Sequence, residues 1–285
     1  LQTGSMAAVV QETDGSVLRG RNTGTGNLKF VREAAAGYHF NKAYGLNLEL
    51  GIFMSYIGLE SYVMQENWSY QRSLVCDFTP FYFQGARVQF FPARTFKTEL
   101  WLMNGWQTYN SFNRQPSVGN SNYFRPTENV QLVANFYYGN DSRPGTADSL
   151  RGAGSYPKIT RFHHDNSVVA RYYHKPKGSP LRGITQAAFS LNTHYGFQRG
   201  DGLKAASQPE ADPAREATAT LDLMPNDFVT FRLEYLHRRA NVPYFAGRGG
   251  TTSPTGYADQ PLPADWAPDL RKTENRAIVS VNFRL

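Results

Sequence analysis

The chain ends in the stretch RAIVSVNFRL, residues 276–285, in which apolar and polar side chains alternate. The apolar positions of one face are Ala277, Val279, Val281, Phe283 and Leu285. Successive side chains of a strand point to opposite faces, whereas a helix repeats its apolar residues every three or four positions. The stretch therefore predicts a β-strand with one apolar face.

The same alternation recurs along the rest of the chain. It is clearest in residues 46–52, 130–138, 186–192, 216–223 and 229–236. No segment contains the roughly 18 to 20 apolar residues that a membrane-spanning helix needs. The pattern predicts an all-β protein and excludes a helical membrane protein.

Short and long connections between these strands alternate. The short ones are residues 40–45, 91–96, 125–129, 175–180 and 224–227. The long ones are residues 13–26, 56–83, 106–116, 139–165, 196–214 and 240–274. This order is typical of an outer-membrane barrel, with tight periplasmic turns at one rim and long extracellular loops at the other.

The strand count gives the expected size of the barrel. Counting back from Leu285 gives eleven strands, and residues 1–12 supply a twelfth. We predict one domain over residues 1–285, a transmembrane antiparallel up-and-down β-barrel of about 12 strands. Because the chain opens at Leu1 without a leader, we expect a missing N-terminal hairpin, which would give 14 strands in the full-length protein.

The composition agrees with a barrel. Aromatic residues make up 14% and charged residues 19% of the chain, and the net charge is +7. The single cysteine excludes an intrachain disulfide and a cysteine-based zinc site. A soluble β-sandwich also alternates and is the competing fold. The unequal loops, the aromatic residues near strand ends and the apolar last strand favour the membrane.

Several short motifs lie in a fixed order between Gly51 and Trp106. They are Gly51-Ile-Phe53, Ile57-Gly-Leu-Glu60, the stretch Asn67 to Ser73, the stretch Pro80 to Arg87, and Asn104-Gly-Trp106. In this order they resemble the β-barrel porin-2 (OmpL-like) family of outer-membrane proteins. The resemblance implies a Gram-negative outer-membrane barrel with pore activity. It implies neither a particular substrate nor an enzyme.

If the apolar face meets lipid, the opposite face lines the pore. The candidate pore-lining residues are Glu33, Glu49, Arg87, Lys97, Glu99, Arg171, Glu216, Asp222, Arg232, Glu234 and Arg284. Five are basic and six are acidic, so the expected lumen is polar and nearly balanced in charge. It suits passive diffusion of small hydrophilic solutes. The alternative is a structural or adhesive barrel in which these charges pair and close the pore.

The connection from Tyr56 to Gln84 is long, aromatic and charged. Its constriction candidates are Glu60, Glu66, Arg72 and Asp77. We predict that it folds partly into the barrel and narrows it; an ordinary surface loop is the alternative. Arg32 shares parity with Ala34, on the face expected to meet lipid. Either it lies near the extracellular rim or a bulge shifts the register.

Other chemistry is weakly supported. His163, His164 and Asp165 invite a metal or catalytic site, and Ser167 allows a barrel-type hydrolase. We interpret this run as the point where a long loop enters a strand. The Gly247–Gly250 stretch is read as a loop and not as a phosphate cradle.

No cofactor, metal site or nucleic-acid partner is expected. The expected partners are outer-membrane lipid, lipopolysaccharide, small polar solutes, and a second copy or another protein of the outer membrane.

Overall fold

The computed structural model describes residue 28 and residues 30–60, 67–77, 79–109, 115–140, 160–174, 184–199, 214–226, 228–251 and 265–283. Its main element is an eleven-stranded sheet in which each strand pairs with the next along the chain. All of these pairs are antiparallel. The prediction of an all-β up-and-down sheet is confirmed.

The strands are β1 (Ala34–Phe40), β2 (Leu46–Met54), β3 (Tyr82–Ala93), β4 (Phe96–Met103), β5 (Ser117–Thr127), β6 (Val130–Asn140), β7 (Thr160–His174), β8 (Ile184–Arg199), β9 (Ala214–Asn226), β10 (Val229–Ala240) and β13 (Thr273–Phe283). The two-residue strands β11 (Phe245–Ala246) and β12 (Leu270–Arg271) pair with each other in the connection between β10 and β13. One short helix, α1 (Leu74–Asp77), lies between β2 and β3.

The described connections follow the predicted order of short and long. Turns of two to five residues join β1 to β2, β3 to β4, β5 to β6 and β9 to β10. Two expected loops, 139–165 and 196–214, are shorter than predicted, because β6 runs to Asn140, β7 begins at Thr160 and β8 runs to Arg199. The connections at 13–26 and 175–180 fall outside the described residues.

Eleven paired strands agree with the count back from Leu285. Among the described residues the sheet is not closed, and β1 and β13 form its two edges. The proposed twelfth strand, in residues 1–12, lies outside the described part of the chain. The counts of 12 and 14 strands therefore stay predictions. Within the described ranges, no helix is both long and apolar enough to cross a membrane.

The two faces of the sheet are buried in the opposite sense to a soluble protein. On the outer face, Leu50 is 67% and Val279 80% exposed. On the other, here called the inner face, Asp222 and Glu234 are 2% and 0% exposed. Soluble proteins bury apolar side chains and leave unpaired carboxylates in water. The observed pattern is opposite to that of a soluble sandwich and typical of a barrel with an apolar outer surface.

Arg32 does not belong to a strand. It precedes β1 by two residues, is half-buried, and lines a cavity beside Met54 at the long-connection end of the sheet. This position beyond the end of β1 agrees with the first of the two explanations, and no bulge is needed; that this end is extracellular stays a prediction. Because Arg32 lies outside the strands, it does not occupy the outer apolar band.

Candidate functional site

The connection between β2 and β3, residues 55–81, crosses the inner face. We call it the inserted segment; residues 55–60, 67–77 and 79–81 of it are described. The sequence predicted either insertion into the barrel or a surface loop. The described part of the inserted segment contacts β3, β4 and β6 in one half of the sheet and β9 and β10 in the other.

Tyr56 anchors the start of the inserted segment in an aromatic cluster. Its ring stacks on Trp101 of β4 and Phe83 of β3, with centroid distances of 4.9 and 5.1 Å. Its hydroxyl donates to the Phe136 carbonyl of β6 at 2.8 Å. Gly119 of β5 leaves the required space, because a Cβ at this position would lie 2.0 Å from the hydroxyl oxygen. Buried rings with a satisfied hydroxyl make this a strong attachment.

The inserted segment then folds back on itself around Gly58. This residue has φ +92°, and a Cβ on it would lie 2.3 Å from Cys76 Sγ. The Cys76 thiol donates to the Glu60 carboxylate at 3.2 Å. Ser73 Oγ donates to the same carboxylate at 2.6 Å. Burial, with the charge of Glu60 beside it, raises the pKa of Cys76, so its thiol stays protonated at neutral pH.

Two carboxylates of the sheet hold the far side of the inserted segment. Glu234 of β10 accepts the backbone N–H groups of Tyr70 and Gln71, at 2.6 and 2.9 Å. Glu216 of β9 accepts the N–H of Leu74, the first residue of α1, at 2.8 Å. Hydrogen bonds to an ionised acceptor are stronger than neutral ones. These bonds supply partners for N–H groups that a tight turn and a short helix leave free.

Arginines pair with three other carboxylates on this side: Glu216, Asp222 and Asp77. Arg238 Nε lies 2.6 Å from Glu216, and its Nη1 lies 3.0 Å from Asp77 on the inserted segment. Arg232 binds Asp222 through two parallel hydrogen bonds of 2.6 and 2.7 Å. Buried charges persist only with such partners. We call the inner face of β9, β10 and β13, with the residues bound to it, the clamped wall.

The inner face of β5, β6 and β7 is different, because a cavity remains beside it, and a second cavity lies between the inserted segment, the end of β2 and Tyr123 of β5. One of about 300 Å³ lies near the short-turn end; we call it the turn-side cavity. It is lined by Leu59, Glu60, Asn67, Trp68, Ser69, Arg125, Gln131, Val169 and Arg171. A second of about 310 Å³, the loop-side cavity, is lined by Arg32, Met54, Arg72, Phe81 and Tyr123 among others. Leu59 and Glu60 line both, so the cavities adjoin.

A family model described as "Putative beta-barrel porin-2, OmpL-like" matches residues 1–207. The chain belongs to this family. The matched range contains β1 to β8 and the whole inserted segment, a wider span than the motifs between Gly51 and Trp106. Comparison with curated proteins and with solved structures gives no match. The porin-2 family is one of porin-like barrels and not of enzymes.

In this porin-2 chain the predicted pore residues fall into distinct groups. Glu216, Asp222, Arg232 and Glu234 lie on the clamped wall. Arg171 lines the turn-side cavity. Glu33 precedes β1 and is exposed. Arg284 lies outside the described residues.

Two further pairs of predicted pore residues lie on β2, β3 and β4. Glu49 and Arg87 are cross-strand partners joined at 2.7 Å. Lys97 binds Glu99 at 2.6 Å and lies over the Tyr123 ring. All four therefore have partners within the sheet. Their role as pore lining stays a prediction.

The constriction candidates are placed on the inserted segment. Glu60 lies between the two cavities, and Arg72 lines the loop-side one. Asp77 bridges Arg72 and Arg238, at 3.5 and 3.0 Å. Burial raises the pKa of Asp77 against the opposing effect of both arginines. Glu66 falls outside the described residues, and narrowing of a pore stays a prediction.

Sequence reasoning missed Arg125 and Arg238. Both continue the inner parity of their strands: Arg238 follows Arg232 and Glu234, and Arg125 follows Tyr123. The alternation carries this signal, but residue 125 is predicted to begin the turn after β5, and Arg238, although it precedes the connection predicted at 240–274, is not among the predicted pore residues. Arg238 proves to be the most connected cation of the clamped wall.

The hydrolase alternative meets a geometric obstacle. His164 and Ser167 lie in the middle of β7, not at the end of a loop as expected. Side chains of even and odd residues point to opposite faces, so the two cannot share a site. Ser167 is buried on the inner face, whereas the His164 ring contacts the Asn135 carbonyl and Asn166. Within the described ranges, no group of potential metal ligands comes together.

Gly247–Gly250 forms a tight turn, in which the Gly250 N–H donates to the Gly247 carbonyl. The Gly249 N–H donates to the Asp269 carboxylate at 3.0 Å. The loop interpretation of this stretch is confirmed.

Proposed function

We propose that the chain forms an outer-membrane channel through which small hydrophilic solutes diffuse passively. The observation that carries the proposal is the inverted burial of the sheet, apolar outside and charged inside. An outer surface of this kind is stable against lipid and unfavourable in water. Membership of a porin-like family supports the same conclusion.

The position of the exposed aromatic residues supports a membrane location. Tyr38, Tyr44, Tyr172, Phe228 and Phe283 are all more than half exposed. Each lies at or near the short-turn end of its strand. Aromatic rings at one level around a barrel are typical of the boundary between acyl chains and headgroups.

Lipid and lipopolysaccharide are the proposed surface partners. Arg215 of β9 and Arg239 of β10 lie directly opposite each other on the outer face, near the long-connection end. Both side chains are exposed. Like charges at opposed positions destabilise a sheet. An anionic headgroup between them would offset this repulsion, and the outer leaflet of a Gram-negative cell supplies such groups.

A closed structural barrel is the second candidate, because the inserted segment occupies much of the inner face. Conductance separates the two. The purified chain, refolded in detergent and added to a planar lipid bilayer, should give discrete current steps in potassium chloride. Insertion without current would support the structural barrel. Failure to insert would overturn both candidates.

A further inference from the structure

The charge balance of the inner face changes once its ion pairs are assigned. The clamped wall holds Glu216, Asp222 and Glu234, and each accepts hydrogen bonds from an arginine or from the inserted segment. Arg238 and Arg232 pair with Glu216 and Asp222, and the Glu234 carboxylate is held by two N–H groups of the inserted segment. The turn-side cavity, by contrast, is lined by Arg125 and Arg171 and by one carboxylate, Glu60. The lining of this cavity is therefore net positive.

Arg125 and Arg171 converge at the turn-side cavity. Arg125 Nη2 donates to the Glu128 carbonyl at 3.2 Å, and Arg171 Nε donates to Asn129 Oδ1 at 3.3 Å. Two consecutive residues of one β-turn thus hold both guanidinium groups. In the part of the chain that the structure describes, neither arginine forms an ion pair. Arg125 contacts the backbone carbonyl of Glu128 and not its carboxylate.

Trp68 fixes the orientation of one of these arginines. The Arg171 guanidinium lies 4.3 Å from the centre of its ring, a cation–π contact that restrains the plane of the group. Only Nε of Arg171 and Nη2 of Arg125 make hydrogen bonds to described protein atoms. The remaining N–H groups stay available beside the cavity. A guanidinium presents paired N–H donors that match the two oxygens of a carboxylate or phosphate.

We propose that the solute path of this channel follows the loop-side cavity, between the end of β2 and the inserted segment, and then the turn-side cavity beside β5 to β7, and that it binds small carboxylate or phosphate anions at Arg125 and Arg171. This inference rests on the proposed channel function and adds a solute class to it. Each cavity, of about 300 Å³, accommodates a small organic anion. Arg72 lines the loop-side cavity, where Asp77 pairs with it at 3.5 Å.

The test is the reversal potential of single channels under a potassium chloride gradient. The wild-type chain should prefer chloride to potassium. The double variant Arg125→Gln/Arg171→Gln should lower the chloride-to-potassium permeability ratio about fivefold, because local potentials of a few kT set ion ratios in such a path. The matched control Arg94→Gln/Arg248→Gln removes the same charge from exposed turns outside both cavities, and its ratio should stay at the wild-type value.

A second variant tests the same inference if the double variant does not fold. Gln131 lines the turn-side cavity and carries no charge, so Gln131→Glu adds a negative charge and should also lower the chloride preference. Inorganic phosphate provides a direct probe of binding. It should block the wild-type chloride current saturably, and the block should be lost in Arg125→Gln/Arg171→Gln.

The outcomes separate the two levels of the proposal. If the wild-type chain gives no current, the channel function fails and this inference fails with it. If current flows without anion preference, or if the ratio and the phosphate block are unchanged in either variant, the channel stands and the anion path is overturned.

Discussion

Two walls of the same inner face handle charge differently. On the clamped wall, the buried Glu216 pairs with Arg238 and accepts one backbone N–H of the inserted segment, and the buried Glu234 accepts two. Beside β5 to β7, the partners of Arg125 and Arg171 among the described residues are neutral, and a cavity remains. The inserted segment therefore supplies hydrogen-bond and ion-pair partners to one wall and leaves a cavity beside the other.

The largest expected effect comes from removing the inserted segment. Deletion of residues 62–78 removes Tyr70, Leu74 and Asp77, and with them the contacts to β9 and β10. Both walls should then face water. Single-channel conductance should rise at least about twofold, as expected when a loop no longer fills a barrel of this size.

Its control is a deletion of residues 248–250, which lie in the turn between β11 and β12. This change should leave the conductance near the wild-type value. An unchanged conductance after deletion of 62–78 would show that the inserted segment does not obstruct the path, and the distinction between the two walls would lose its functional meaning.

A smaller effect is expected from Gly58→Ala. The left-handed backbone costs a non-glycine residue about 1–3 kcal/mol. In addition, the new Cβ would meet Cys76 Sγ at 2.3 Å. The inserted segment should therefore loosen from the clamped wall, which would appear as lower stability to urea and greater fluctuation of the open-channel current.

Two variants separate the backbone strain at residue 58 from the steric clash of its Cβ with Cys76 Sγ. Gly250→Ala, at φ +77° with no atom within 4 Å, carries the backbone strain alone and should be the milder change. Gly58→Ala/Cys76→Ala removes the sulfur and should recover part of the loss. Equal effects of Gly58→Ala and Gly250→Ala would rule out the tight approach of Gly58 to α1.

Glu234→Gln should have a weaker effect. One carboxylate oxygen becomes an amide NH₂, and this donor then faces the N–H of Tyr70 or Gln71. Loss of a buried charged acceptor costs about 1.5–3 kcal/mol. The midpoint of urea unfolding should fall, whereas the chloride-to-potassium ratio should change little because Glu234 lies on the other wall.

Glu33→Gln removes the same charge at an exposed position before β1 and serves as the control. It should leave the unfolding midpoint unchanged. A large change of ion selectivity in Glu234→Gln would mean that ions pass along the clamped wall, and the proposed path would need to move there.

Period-two alternation was sufficient to predict the strands, and the order of short and long connections was sufficient to predict their up-and-down pairing. Alternation alone does not tell which face is exposed, because a soluble sandwich alternates too. Each strand carries its alternation locally, as in Val279 and Ser280 of β13. The pattern defines the strand ends less well, because β7 and β8 extend into stretches whose polarity resembles that of loops. For this reason the sequence predicts a loop end at His164, where the structure has the middle of β7.

The pairing of charges could not be predicted. Alternation places Arg171 and Arg232 on one face, but it does not tell which side chains of other elements they contact. Arg232 meets Asp222 across one strand pair, whereas Arg171 meets Trp68 on the inserted segment. The nearly equal numbers of acidic and basic residues predicted for the lumen therefore do not show that these charges are distributed unevenly between the two walls.

Labelling of Cys76 tests the contact between α1 and the clamped wall with the least change to the protein, because Cys76 is already the single cysteine of the wild-type chain. Burial raises its pKa, so at pH 7 to 8 the reactive thiolate is scarce and shielded. A maleimide should therefore label the wild-type chain far more slowly than Arg248→Cys/Cys76→Ser, in which the thiol is on an exposed turn.

Labelling of Cys76 should accelerate in Gly58→Ala and Glu234→Gln, because both loosen the inserted segment, but not in Arg125→Gln/Arg171→Gln. Fast labelling of the wild-type chain would mean that α1 is not held against the clamped wall. Acceleration by the arginine variant would mean that the two walls are coupled, not independent.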